Sequence, residues 1–143
     1  MKITRRFGPL LALMVAVSAC EIFEDQSPEN LSFRLTGSAG TQVTAIYSTR
    51  FVAGVDEFGV TTVRVFGSDT VVHTLPIDTV ISIAANQQFF VQVQPADTVD
   101  VQARVDIDGR NVLDNEGFIF PDSPWNYVYQ FNQLLTEVVE VVL

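Results

Sequence analysis

The sequence predicts an all-β fold: an antiparallel, Ig-like β-sandwich of eight or nine short strands that follows a cleaved N-terminal signal helix. Three observations carry this. From Leu31 onward apolar and polar residues alternate with a period of two. Clusters of glycine, serine, asparagine and aspartate break the alternation every 8 to 15 positions, and no ten-residue stretch after Cys20 has helical spacing. Many short strands with turn punctuation are the pattern of a sandwich.

Residues 1–20 read as an address. Lys2, Arg5 and Arg6 precede an almost wholly apolar run at 9–17, and small residues follow it up to the single cysteine, Cys20. A basic start, a short apolar run and small residues before a cut site describe a secretory signal. The run is shorter than the ~20 residues that span a bilayer. Val17-Ser18-Ala19-Cys20 resembles the lipobox of bacterial lipoproteins, whose signal peptidase cuts before a cysteine already linked to diacylglycerol. The resemblance implies a signal at 1–19, a mature chain that begins at a lipidated Cys20 carrying diacylglycerol and palmitate-type acyl groups, and membrane attachment through that lipid. The other reading of Cys20 is a cut elsewhere that leaves an ordinary thiol. Residues 20–30 are acidic, carry Pro28 and lack periodicity, as expected of a flexible tether. Glu21 rather than aspartate after the cysteine, and the cluster Glu21, Glu24, Asp25, resemble sorting and surface-export signals, which implies the outer membrane or cell surface rather than the inner membrane.

The remaining chain, 31–143, is expected to be one domain. Leu31, Phe33 and Leu35 alternate with polar residues up to Gly37-Ser38-Ala39-Gly40, and Val43, Ala45 and Tyr47 repeat the pattern before a loop at 54–59. Strands at 60–66 and 70–75 flank Gly67-Ser68-Asp69, a connection of hairpin length. Strands at 79–84 and 88–94 follow, separated by Ala85-Asn86-Gln87. In the clearest strand, Val99, Val101, Ala103, Val105 and Ile107 face one way and Asp100, Gln102, Arg104 and Asp106 the other, which leaves one face wet. Asp108-Gly109 supplies the positive φ angles of a two-residue turn into a return strand at 110–113. Trp125, Tyr127, Tyr129 and Phe131 alternate with mostly polar residues, and the alternation at 135–143 predicts a last strand.

Arg34-Leu35-Thr36-Gly37-Ser38-Ala39-Gly40 opening into the strand at 44–47, Leu75-Pro76 before 80–83, and the Asp-Gly within 105–114 resemble the MmpS-like (mycobacterial membrane protein small) family over residues 33–117. The resemblance implies a small β-sandwich outside the membrane that serves as an accessory to large lipid and siderophore exporters. The chain departs from the family at Ile77, where an aromatic usually follows Leu-Pro, and in having a lipid where many members have a transmembrane anchor.

Composition excludes several classes. Removing 19 of 143 residues leaves 124, enough to bury about two thirds of the unfolded surface without disulfides. Lys2, Arg5 and Arg6 leave with the signal, so five arginines stand against 17 acidic residues, a net charge of −12. Such a surface repels phosphate backbones and anionic headgroups, so no nucleic-acid partner is expected. His73 is the only histidine and, without cysteines, builds no zinc site. No nucleophile turn and no glycine-rich phosphate loop is present, no cofactor is implied, and no residues supply nucleophile, base and oxyanion donors together.

Two constellations have competing readings. Asp106-x-Asp108-Gly109-x-Asn111-x-x-Asp114-x-Glu116 gathers oxygens as a calcium loop does, yet Arg110 and Asn111 occupy its fifth and sixth positions, and Asp108-Gly109 is already explained as a turn. Asp106, Asp108 and Asp114 therefore stand as a weak cation candidate beside the reading in which no metal is bound. Trp125, Tyr127 and Tyr129 form either a platform for sugar or lipid, with Phe118, Phe120 and Pro121 at its mouth, or one wall of the core. The function expected is a non-catalytic, lipid-anchored envelope module for binding or assembly, with an envelope protein as its candidate partner and an export system as the setting. The alternative is a carbohydrate- or lipid-binding lipoprotein that uses the aromatic stripe.

Overall fold

A computed structural model describes residues 27–59, 61–132 and 136–142, with side chains described as far as Phe131. Nine strands follow one another: β1 (Asn30–Gly37), β2 (Gln42–Val55), β3 (Thr61–Thr74), β4 (Ile77–Ser82), β5 (Gln88–Pro95), β6 (Val99–Ile107), β7 (Arg110–Ile119), β8 (Trp125–Asn132) and β9 (Thr136–Val142). They form two antiparallel sheets, ordered β4-β1-β6-β7 and β3-β2-β5-β8-β9. The fold is the β-sandwich that the alternation predicts. Among the described residues no helix is long and apolar enough to cross a membrane.

The inner faces follow directly from period two. Leu31, Phe33 and Leu35 of β1 and the five apolar residues of β6 meet Phe89, Val91 and Val93 of β5 and Trp125, Tyr127 and Tyr129 of β8; each is 7% exposed or less. The Trp125 ring lies between Phe33 (centroids 6.1 Å apart, planes at 17°) and Tyr127 (6.1 Å, 7°), so the two sheets lock through stacked rings. Each large side chain withdrawn from water contributes roughly 1.5–3 kcal/mol, which is how this chain holds a core without a crosslink.

Asp108-Gly109 makes the expected turn, with φ of 46° and 82°, and joins Ile107 to Arg110. The same aspartate does a second job. Its carboxylate accepts the backbone N–H groups of Glu29 (3.0 Å) and Asn30 (2.9 Å), and the N–H of Ile83 bonds to the Glu29 carbonyl at 2.8 Å. Pro28 is buried. The end of the segment expected to be a free tether is thus fastened to the domain from residue 28 onward.

A second departure is larger. Gly67-Ser68-Asp69 is not a connection; β3 runs straight through it, and the hairpin closes instead at residues 56–59, where Gly59 has φ of 80° and donates to the Asp56 carbonyl. The register explains what the glycine does. Tyr47 pairs with Asp69, Arg50 with Gly67 and Phe51 with Val65, so β2 carries an extra residue opposite Ser68 and β3 carries one at Phe66. Each bulge inverts the face of its own strand. Val43 and Ala45 point into the core, but Phe51 and Ala53 beyond the bulge pack with Val63 and Val65 on Phe90 and Val128, which lie on the opposite face of their sheet. Gly67 allows a close approach there: a Cβ at this position would stand 2.6 Å from a guanidinium nitrogen of Arg50, which would have to shift.

Bulges leave backbone groups without ladder partners, and two side chains take them. The buried Ser48 hydroxyl accepts the Arg50 N–H at 3.0 Å and lies between the carbonyls of Arg50 and Gly67, donating to one at a time. The Gln88 amide donates to the carbonyls of Thr49 (3.1 Å) and Phe51 (3.2 Å), and the Asn86 amide to the Thr49 hydroxyl. Ser48→Ala strands these groups out of water, so it should cost about 1–3 kcal/mol in urea unfolding. It should also speed amide exchange in residues 50–66 more than in β6. Unchanged stability and unchanged exchange would mean that the hydroxyl does not hold the bulge.

Candidate functional site

An opening lies along one side of the sandwich, between the edge strands β3 and β4, where two sheets of unequal width do not close over one another. It is a cleft of about 560 Å³. Phe89 forms its floor, Tyr47, Val71 and Ile81 its apolar walls, and Arg50, Asp69 and His73 its polar ones. Alternation on β2 and β3 sends Tyr47 and His73 to the same side, and the paired bulges bring Arg50 to that side as well.

Tyr47 is the best-tied residue of the cleft. Its hydroxyl is 3.0 Å from Nε2 of His73, and the two rings meet edge-on at 5.7 Å and 90°. Behind it lie Phe33 and Phe89, with centroids 6.3 Å away in each case. Burial pushes the phenol up to about 12, so it stays a neutral donor at ordinary pH. It donates to His73 when Nε2 is bare.

The hydrogen-bond partner of His73 is the Tyr47 phenol. Ser48, the buried hydroxyl nearby, is spent on backbone groups. The cleft combines an apolar floor, hydrogen-bonding groups, one guanidinium and one carboxylate. Among the described residues Arg50 makes no ion pair within 4 Å, whereas Arg34 pairs with Asp78 (2.7 Å) and Arg104 with Asp106 (3.0 Å).

The residues singled out in the sequence fall elsewhere. Trp125, Tyr127 and Tyr129 are 7%, 0% and 1% exposed, so the stripe is a wall of the core and presents no flat platform to a sugar or a lipid. Phe118 and Phe120 are exposed, at the end of β7, without those rings beside them. Asp106, Asp108 and Asp114 do not converge. Asp106 accepts from Arg104 and Asn111, which hold its carboxyl below the usual range. Asp108 caps backbone N–H groups, and Asp114 accepts from the Gln102 amide at 2.8 Å. Among the described residues no three His, Cys, Asp or Glu side chains are grouped as a metal site. Cys20 lies outside the described residues.

Arg50, Gly67 and the Tyr47–His73 pair are what sequence reasoning missed. The period-two pattern placed Tyr47 and His73 in strands but gave no register between them. No protein-family model matches the chain, and no match was found among the curated proteins or the solved structures.

The raised phenol has a consequence for stability. A tyrosine of ordinary value near ~10 that titrates at about 12 in the folded state contributes stability that is complete below about pH 10 and is lost as pH rises towards 12. Tyr47→Phe should therefore flatten the alkaline fall of the melting temperature between about pH 9 and about pH 12. A variant whose melting point falls as steeply as that of the parent would place the alkaline sensitivity elsewhere.

Proposed function

We propose that this chain is a lipid-anchored cell-envelope protein whose sandwich binds or assembles and does not catalyse. The observation that carries the reading is the sequence Val17-Ser18-Ala19-Cys20, placed after a basic start and a short apolar run. The position of the domain relative to that cysteine supports it. Six residues lie between Cys20 and Ser27, where the described chain begins, a span of at most ~25 Å. The lipid would thus sit close under one end of the sandwich, the end formed by Asn30, the turn at 83–87 and Asp108.

The division of labour is physical. A single acyl chain, at roughly 0.8 kcal/mol per buried CH₂, binds a membrane only marginally, whereas the two or three chains of a processed lipoprotein anchor it firmly. A body carrying a net charge of −12 is repelled by anionic headgroups and adds no attachment of its own. The membrane is the first partner, and the MmpS-like resemblance at residues 33–117 supports a second, an envelope protein of an export system in the outer membrane or at the cell surface. The cleft beside Tyr47 and His73 supports binding over assembly, because it is concave and mixes apolar walls with a few polar groups.

Metabolic labelling with an alkyne-bearing palmitate should mark the parent protein and leave Cys20→Ser unmarked, with the variant released from the membrane fraction. A labelled Cys20→Ser protein would overturn the assignment.

A further inference from the structure

We propose that the cleft between β3 and β4 binds a singly charged anionic amphiphile, with the Arg50 guanidinium taking the head group and Tyr47, Val71 and Ile81 taking the apolar body. The inference rests on reading the sandwich as a binding module held at a membrane.

Four observations converge. The first is size: about 560 Å³ lies within the ~300–1,000 Å³ of small-molecule sites. The second is Arg50. In a chain whose charge is overwhelmingly negative, this guanidinium lines the cleft and makes no ion pair among the described residues, while Arg34 and Arg104 are both paired. It also lies close over the backbone at Gly67, where a Cβ would stand 2.6 Å from one guanidinium nitrogen and 3.3 Å from the central carbon, so a side chain there would displace it. A planar fork held against backbone suits a carboxylate or a phosphodiester, which it can engage with two parallel N–H groups.

The third is the charge limit. Asp69 stands on the same wall, paired across the ladder with Tyr47, so one anionic group is matched and a second would face a carboxylate. This disfavours phosphomonoesters and polyphosphates. The fourth is location. Ile81 pairs with Leu31, one residue from the point where the chain enters the domain, so the cleft lies at the end nearest the anchoring lipid. An amphiphile leaving a bilayer would meet the apolar walls within a short distance.

The experiment uses the full chain added to phosphatidylcholine vesicles with a diazirine-bearing palmitate as the probe; adducts are mapped by peptide mass spectrometry after irradiation. Saturable adducts should fall on residues 47–50, 67–73 and 79–81 and be displaced by unlabelled palmitate. Arg50→Gln should weaken labelling about tenfold, the loss of one charge-assisted contact, while Arg50→Lys retains more of it. Gly67→Ala, which displaces the guanidinium but leaves the charge, should weaken labelling as well. Vesicles with added phosphatidylglycerol distinguish the source. Arg50-dependent competition by that lipid identifies a bilayer phosphodiester, and competition by free palmitate alone identifies a fatty acid; either supports the site.

Labelling equal in the parent and Arg50→Gln, or adducts confined to exposed apolar residues such as Phe58 and Phe118, would overturn it. The mass of the N-terminal peptide reports the anchor separately. Lost cleft labelling on a lipidated protein removes this site and leaves the envelope reading, whereas Arg50-dependent labelling on an unlipidated protein does the reverse.

Discussion

The paired bulges of β2 and β3 govern most of what is particular to this molecule. Side chains on a regular strand alternate, so a residue that serves the core at one end commits every second residue to the core at the other. By taking one extra residue opposite Ser68 and another at Phe66, the two strands turn over together without losing their pairing. One half of the ribbon then closes the core with Val43 and Ala45, and the other half supplies Phe51 and Val65 to a separate cluster on the outer face of the sheet. The inversion demands a partner for each displaced backbone group. Ser48 and Gln88 provide them, which is why a buried hydroxyl and a strand-end glutamine stand where the alternation alone would accept almost anything.

The cleft follows from the same device. Beyond Ser48, β2 has no pairing to β5 and continues with β3 alone. At that point the sheet narrows and its edge parts from β4, which leaves Tyr47 and Ile81 half-buried where they would otherwise be sealed. Among the described residues Arg50 is the one arginine lining the opening, and its guanidinium lies close over a cross-strand neighbour that has no side chain. Recognition at this site would thus depend on a glycine that contacts no ligand.

How far the fold is legible in the sequence depends on whether each strand keeps one wet face. β6 does, and its five inward residues and the Asp108-Gly109 turn are readable from the alternation. The β2–β3 ribbon does not: its apolar residues stay odd-numbered throughout while the bulges turn the odd positions from one face to the other, and glycine, serine and aspartate in a row suggest a turn where the strand in fact continues past Arg50. Phe90 and Val128 carried a usable clue, since each is apolar on the polar side of its strand and therefore needs a cover. For Trp125, Tyr127 and Tyr129, period two put the rings on one side of β8, and the polar neighbours favoured the core side; only the opposing sheet, with Phe33 stacked on Trp125, decides it. The cleft residues come from four strands, and no local pattern announces a site assembled by register.

Topology also dictates which end of the sandwich the cleft occupies. β1 begins at the end where the chain arrives, and β4 runs antiparallel to it, so β4 must finish there; Asn30 stands opposite Ser82. The short turn at 83–87 starts β5 at that same end. β2 is antiparallel to β5, with Ser48 opposite Phe90, and so leaves the sandwich there too. The bulge that carries Arg50 is therefore at the entry end by connectivity alone, as is the Asp108 turn that fastens Glu29 and Asn30. An attachment only a few residues before Ser27 would keep this end of the sandwich, with Arg50 at the mouth of the cleft, near the membrane. A lipid at the C-terminal end of β7, by contrast, would leave the mouth facing away.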